Sequence, residues 1–126
     1  MMKSVLKPGT VVRVSYTDFN NKPLEGYFCV LYDEELDASN KYMNNIIAIK
    51  ITTSYMMIDN YSVPVTDNYT TLFTRDSMAL CSKLHTFSKD QILDIKGRLH
   101  PKTFRDVYKC YRRFITELER QMESYF

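Results

Sequence analysis

Three stretches carry side chains whose types and positions can act on a phosphate ester. Thr52-Thr53-Ser54 closes the strongly apolar run Asn45–Thr53. Hydroxyls at a strand end either hydrogen-bond a substrate phosphate or cap the turn that follows. His85-Thr86 follows the apolar segment Leu80–Leu84. An imidazole there can take or give a proton near neutral pH, or sit as a satisfied residue at the surface. Lys22 stands in the polar stretch Asn20-Asn21-Lys22-Pro23, where a cation holds a phosphate or simply faces water. The acids Asp33-Glu34-Glu35 are adjacent in a turn and not opposed across a cleft. They read as solvated surface rather than a catalytic pair.

Other chemistries are excluded by what the chain lacks. Its three glycines form no phosphate-cradling loop, and there is no G-x-S-x-G, H-E-x-x-H or Walker sequence. His85 and His100 have no ligand spacing to any cysteine, so neither a metal nor a cofactor is expected. Cys29, Cys81 and Cys110 are an odd set without C-x-x-C spacing, each among apolar neighbours. Such thiols are expected to be buried and reduced in a cytoplasmic protein. No apolar run approaches the ~18 residues of a membrane span, and Met1–Lys7 holds no signal-like apolar stretch. The formal charge of +2 is uneven. Residues 1–82 carry seven Lys or Arg against nine Asp or Glu, and residues 83–126 carry ten against six. The basic end either meets an anionic partner or solvates the outer face of a terminal helix.

The elements that must position these groups are legible in the pattern. A chain of 126 residues with 44% apolar content makes one domain, 1–126, with one buried core. Strands are predicted over Thr10–Thr17, Gly26–Tyr32 and Asn45–Thr53, with a weak edge strand over Tyr61–Val65. Ser77–Phe87 is a longer strand whose broken alternation predicts a bulge near Cys81–Lys83. Ser88-Lys89-Asp90-Gln91 fits a capping box and predicts a short helical turn, followed by a last strand. His100-Pro101 opens a terminal helix, proline being well placed in a first turn. Phe104, Val107, Tyr108, Tyr111, Ile115, Leu118 and Met122 would form its apolar stripe. At 1.5 Å per residue it would span about 36 Å, which leaves part of that stripe for a partner or a second copy of the chain. The sheet region is about 6–99 and the helix about 101–124, an α+β domain with a small twisted antiparallel sheet.

Read in order, the segments resemble the MazF/PemK family of bacterial toxin–antitoxin ribonucleases. The stretches are Pro8-Gly9-Thr10-Val11-Val12-Arg13-Val14, Gly26-Tyr27-Phe28-Cys29-Val30-Leu31, Ile47-Ala48-Ile49-Lys50-Ile51-Thr52, Leu84-His85-Thr86-Phe87-Ser88-Lys89 and Ile95-Lys96-Gly97-Arg98-Leu99. The resemblance covers about Leu6 to Met122. It implies a small SH3-like antiparallel β-barrel with a long C-terminal α-helix, usually a homodimer. It also implies metal-independent cleavage of single-stranded RNA, and an acidic antitoxin that blocks the RNA groove.

In such a protein Thr52 and His85 would be catalytic. Lys22, Thr53, Ser82 and Lys83 would touch the substrate. The family's catalytic arginine, in an Arg-Pro at the start of its second strand, falls on Gly26 by register. Shifting Lys22-Pro23 onto it leaves an overlong gap, and lysine does not reproduce a bidentate guanidinium. Glu25, beside that position, would repel phosphate. The second expectation is therefore a catalytically inactive member of the fold, of mobile-element or phage origin, acting as a protein-binding or regulatory module.

Overall fold

The computed structural model of the protein describes residues 5–36, 44–66, 72–73 and 75–126. Among the described residues six strands follow one another: β1 (Thr10–Thr17), β2 (Pro23–Asp33), β3 (Asn45–Thr52), β4 (Ser62–Pro64), β5 (Met78–Ser88) and β6 (Ile92–Arg98). A single long helix, α1 (Pro101–Glu123), ends the chain. The strands form one antiparallel sheet in the order β4-β5-β3-β2-β1-β6.

The connection between β5 and β6 dictates the shape of this sheet. The two strands lie four spacings apart in the order, which would be about 19 Å in a flat sheet. Only the one-turn helix Lys89–Gln91 separates them, and four residue steps reach at most about 14 Å. The sheet must therefore curl. Its inner face buries Val12, Val14, Phe28, Val30, Ile46 and Ala48 completely, on the side away from α1. β4 and β6 do not pair with each other, so the curl stops short of a closed barrel. The α+β class stands, with an open sheet in place of the barrel that the resemblance implies.

The outer face packs under α1. Val11, Cys29, Ile49, Ile51, Ala79 and Cys81 meet Val107 and Cys110 of the helix. The three cysteines are free and buried. Burial pushes the Cys29 thiol up to about 12. The His100 imidazole accepts the Lys102 N–H at 3.1 Å and caps α1, with Pro101 in its first turn. The buried stripe runs through Thr103, Val107 and Cys110. Tyr108, Leu118 and Met122, expected in the packed stripe, are 44%, 43% and 50% exposed. The helix outruns the sheet beneath it, so the far part of its apolar stripe faces water.

The predicted bulge is present. Ile49 pairs with Leu84 and Lys50 with Leu80, which leaves residues 81–83 as the extra chain. The capping box also forms: Ser88 Oγ accepts from the Asp90 N–H and Gln91 Oε1 from the Ser88 N–H. The Asp33-Glu34-Glu35 stretch departs from the expected solvated turn. Asp33 is the last residue of β2 and fully buried, and Lys89 lies between it and Glu35 at 2.6 and 2.7 Å. Asp33 also accepts the Leu6 and Glu35 N–H groups. The loop expected to run on to Asn44 lies, over 37–43, outside the described residues.

Candidate active site

The fully buried inner face gives way to half-exposed side chains at one end, its mouth, where β1 and β3 finish and β2 begins. Alternation along each strand decides which side chains reach this mouth. On β3, Ile46 and Ala48 point into the inner core, so Lys50 and Thr52 continue the same face. Phe28 sits opposite Lys50, Gly26 opposite Val14, and His85 opposite Ala48. Tyr16 closes the group from β1 by packing on the same core.

These residues form one aromatic and cationic cluster. The Lys50 ammonium donates to the Tyr16 phenolic oxygen at 3.1 Å. It stands 5.2 Å from the centre of the Phe28 ring and 5.4 Å from that of Tyr16. Both rings offer negative faces to a cation. The His85 ring stacks parallel to Phe87 with centroids 5.6 Å apart, and meets Phe28 edge-on at 5.1 Å. Partial burial, then the charge of Lys50, lowers the His85 pKa from its ordinary value. The imidazole is therefore neutral at pH 7 and has a lone pair to accept a proton.

Gly26 makes room for this arrangement. A Cβ at position 26 would stand 3.3 Å from Phe28, 3.4 Å from Tyr16 and 3.5 Å from Lys50 Nζ. The Lys50 ammonium thus sits beside the strand position where the resemblance expects an arginine. Glu25, the neighbour feared as a source of repulsion, faces the other way. Its carboxylate accepts from Arg13 at 2.7 Å, and Arg13 also bridges Asp94 at 2.7 Å. That triad lies on the face opposite Gly26, where Arg13 is shared between the two carboxylates.

The other expected site residues do not join this cluster. Thr52 lies two residues beyond Lys50 on the same face, about 7 Å along the strand. Its hydroxyl oxygen accepts the Ser54 N–H at 3.0 Å and lies 3.8 Å from the Met57 sulfur, so it caps the turn after β3. His85 is opposite Ala48, four residues or about 13 Å back from Thr52. Thr53 is exposed and lines a different hollow of about 290 Å³ with Tyr27, Phe73, Arg75 and Lys96. Lys22 is exposed in the β1–β2 turn, its N–H donating to Asp18 at 2.9 Å. Asn21 turns that loop in the left-handed region at φ 59°, a conformation asparagine tolerates. Ser82 donates to Asp59 at 2.7 Å, and Lys83 is exposed beside it in the bulge. The Ser82 hydroxyl, then the nearby N–H of Tyr61 and charge of Lys83, holds the Asp59 carboxyl below its usual range.

Lys50 and Tyr16 escaped the sequence reading. Each sits in an alternating strand, and nothing local marks either as different from a solvated lysine or a packed tyrosine. The available signal was that Lys50 breaks the apolar run Ile46–Ile51 two residues before Thr52. Two exposed apolar side chains also rim the mouth, Phe19 in the β1–β2 turn at 95% and Met56 after β3 at 96%. Among the described residues no group of three or more His, Cys, Asp or Glu gathers as metal ligands, and no helix is long and apolar enough to cross a membrane.

No family model and no curated protein matches the sequence. Solved structures do match the fold. A mycobacterial endoribonuclease in complex with its cognate antitoxin superposes with a TM-score of 0.65 at 16% identity, covering 86% of this chain and 93% of that one. A MazF from Deinococcus radiodurans gives 0.67 at 11% identity, over 90% and 99% of the two chains. A MazF toxin from Mycobacterium tuberculosis gives 0.61 at 16% identity, over 87% and 97%. The chain has the MazF/PemK-like toxin fold.

Proposed function

We propose that this protein is a metal-independent, cytoplasmic endoribonuclease that cuts single-stranded RNA. The observation that carries the reading is the neutral, half-buried His85 on the inner face of a fold shared with MazF endoribonucleases. In the proposed reaction a ribose 2′-hydroxyl gives its proton to His85 as its oxygen bonds to the adjacent phosphorus. The bond from phosphorus to the 5′-oxygen breaks, leaving a 2′,3′-cyclic phosphate, and the departing oxygen takes a proton from solvent. General base catalysis of this kind supplies about 10²–10⁴-fold. The Thr52 hydroxyl orients a neighbouring phosphate, while Lys22, Thr53, Ser82 and Lys83 meet nucleotides farther along the RNA. Incubation of the purified protein with a long single-stranded RNA in excess chelator tests this reading. Cyclic-phosphate ends support it, and intact RNA at every enzyme concentration contradicts it.

A second reading has its own observation. An apolar hollow of about 470 Å³, lined by Pro8, Leu31, Ile47, Phe104, Tyr108 and Tyr111, lies between α1 and the sheet. It favours a protein partner, either an acidic antitoxin segment, as one relative with this fold binds an antitoxin, or a second copy in a homodimer. A catalytically inactive, protein-binding role would rest on this hollow alone, since Glu25 is held by Arg13 away from the mouth.

A further inference from the structure

The inner face holds a positive charge with no acid beside it. Arg13, Lys89 and Arg120 each pair with a carboxylate. Lys50 meets none among the described residues. Among the described residues its hydrogen bond to Tyr16 uses one of three ammonium protons. Half-buried, it has lost part of its water without gaining a counter-charge. The aromatic faces of Phe28 and Tyr16 repay only some of that cost. A site so arranged is completed by an anion.

Resting on the nuclease reading above, we propose that Lys50 is a catalytic residue: its ammonium binds a nonbridging oxygen of the scissile phosphodiester and stabilises the charge that builds there. Three features of the mouth fit this role. Gly26 adds no side chain of its own to the space beside Nζ, which Phe28 and Tyr16 border. Thr52 continues the same face of β3, so one phosphate and its neighbour can meet both groups. The half-exposed Tyr16 side chain holds the ammonium, the half-exposed His85 ring lies 6.5 Å from the Tyr16 ring, and their open parts offer surfaces on which bases stack. Those flat rings favour a single-stranded nucleic acid over the other anion that would seek a lysine, the carboxylate of an acidic peptide.

The test uses the wild-type protein and Lys50→Met, Lys50→Gln and Lys50→Arg. The methionine variant keeps an unbranched chain across Phe28, the glutamine variant keeps a donor for Tyr16, and the arginine variant keeps the charge. Circular dichroism checks each fold, and the two neutral variants guard against one failing to fold. Cleavage of single-stranded RNA is expected to fall about 10²-fold in both neutral variants, mainly in kcat, and much less in Lys50→Arg. Binding of a fluorescent, uncleavable 2′-deoxy oligonucleotide is measured across salt concentrations. Its slope in log K against log salt should fall by about 0.7 when the charge is removed. Cleavage by wild type with equal rates in the folded neutral variants overturns the role of Lys50 and leaves the nuclease reading intact. If wild type cuts no RNA, the nuclease reading fails and the catalytic role with it. Lys50-dependent binding of a polyglutamate peptide, without oligonucleotide binding, also overturns the proposal and assigns the site to a protein partner.

Discussion

The Lys50 ammonium hydrogen-bonds the Tyr16 phenol at 3.1 Å across the mouth of the curled sheet. This contact joins β3 to β1, strands separated in the sheet by β2, and it is possible because Gly26 of β2 lies between them without a side chain. It aims the lysine without neutralising it. Tyr16→Phe keeps the ring beneath the cation and removes only the oxygen. The variant should fold normally and cut RNA several-fold more slowly, a smaller loss than that of Lys50→Met. Steady-state rates on a fluorogenic RNA check this order.

Gly26 gives a steric test of the same mouth. A single Cβ would already press on Phe28 and Tyr16 at 3.3 and 3.4 Å. Gly26→Leu should fill the space beside Lys50 and lower RNA binding at least tenfold. Urea unfolding distinguishes this from general damage to the fold.

His85 sets a pH signature. Its folded pKa lies below its ordinary value, from partial burial first and Lys50 second. The acid limb of the rate profile should therefore fall below about pH 6.5. The same shift links to stability. The fold favours the neutral ring, so this contribution is complete above about pH 6.5 and is lost as pH falls through the folded pKa. His85→Gln should lower cleavage about 10²–10⁴-fold and flatten the acid limb. Rates measured from pH 5 to 8 check both effects.

Thr52 has a structural task to be separated from any catalytic one. Its oxygen caps the turn after β3 through the Ser54 N–H. Thr52→Val should cost about 1 kcal/mol of stability for that bond. A fall in kcat at a temperature where the variant is fully folded assigns the hydroxyl to the reaction as well. An unchanged kcat leaves it as a cap.

Lys89 is the main electrostatic tie of the fold. It is 2% exposed between the fully buried Asp33 and the largely buried Glu35. Burial pulls its pKa down, yet the Asp33 and Glu35 carboxylates outweigh that and leave it raised. Its stabilisation is therefore complete below the ordinary lysine pKa and is lost as pH climbs through the raised folded value. Lys89→Met should cost about 3–5 kcal/mol by stranding the Asp33 charge. Adding Asp33→Asn should recover part of that loss in urea denaturation.

Elements set by local patterns were readable in the sequence. Alternation marked the strands, broken alternation marked the 81–83 bulge, and Ser88 with Gln91 marked the one-turn helix that forces the sheet to curl. Relationships between distant strands were not readable. Asp33 looked like one acid in a solvated run because its partner Lys89 is 56 residues away. Glu25 looked repulsive because its pairing with Arg13 and its outward face depend on register. Lys50 went unnoticed for the same reason: its setting is made by Tyr16, Gly26 and Phe28, which reach it only once the sheet has curled.

Cleavage of a long single-stranded RNA in excess chelator by the wild-type protein beside Lys50→Met tests the account most directly. Cyclic-phosphate products are expected from wild type, and a rate about 10²-fold lower from the folded variant. Intact RNA with both proteins, or equal rates from the two, would contradict it.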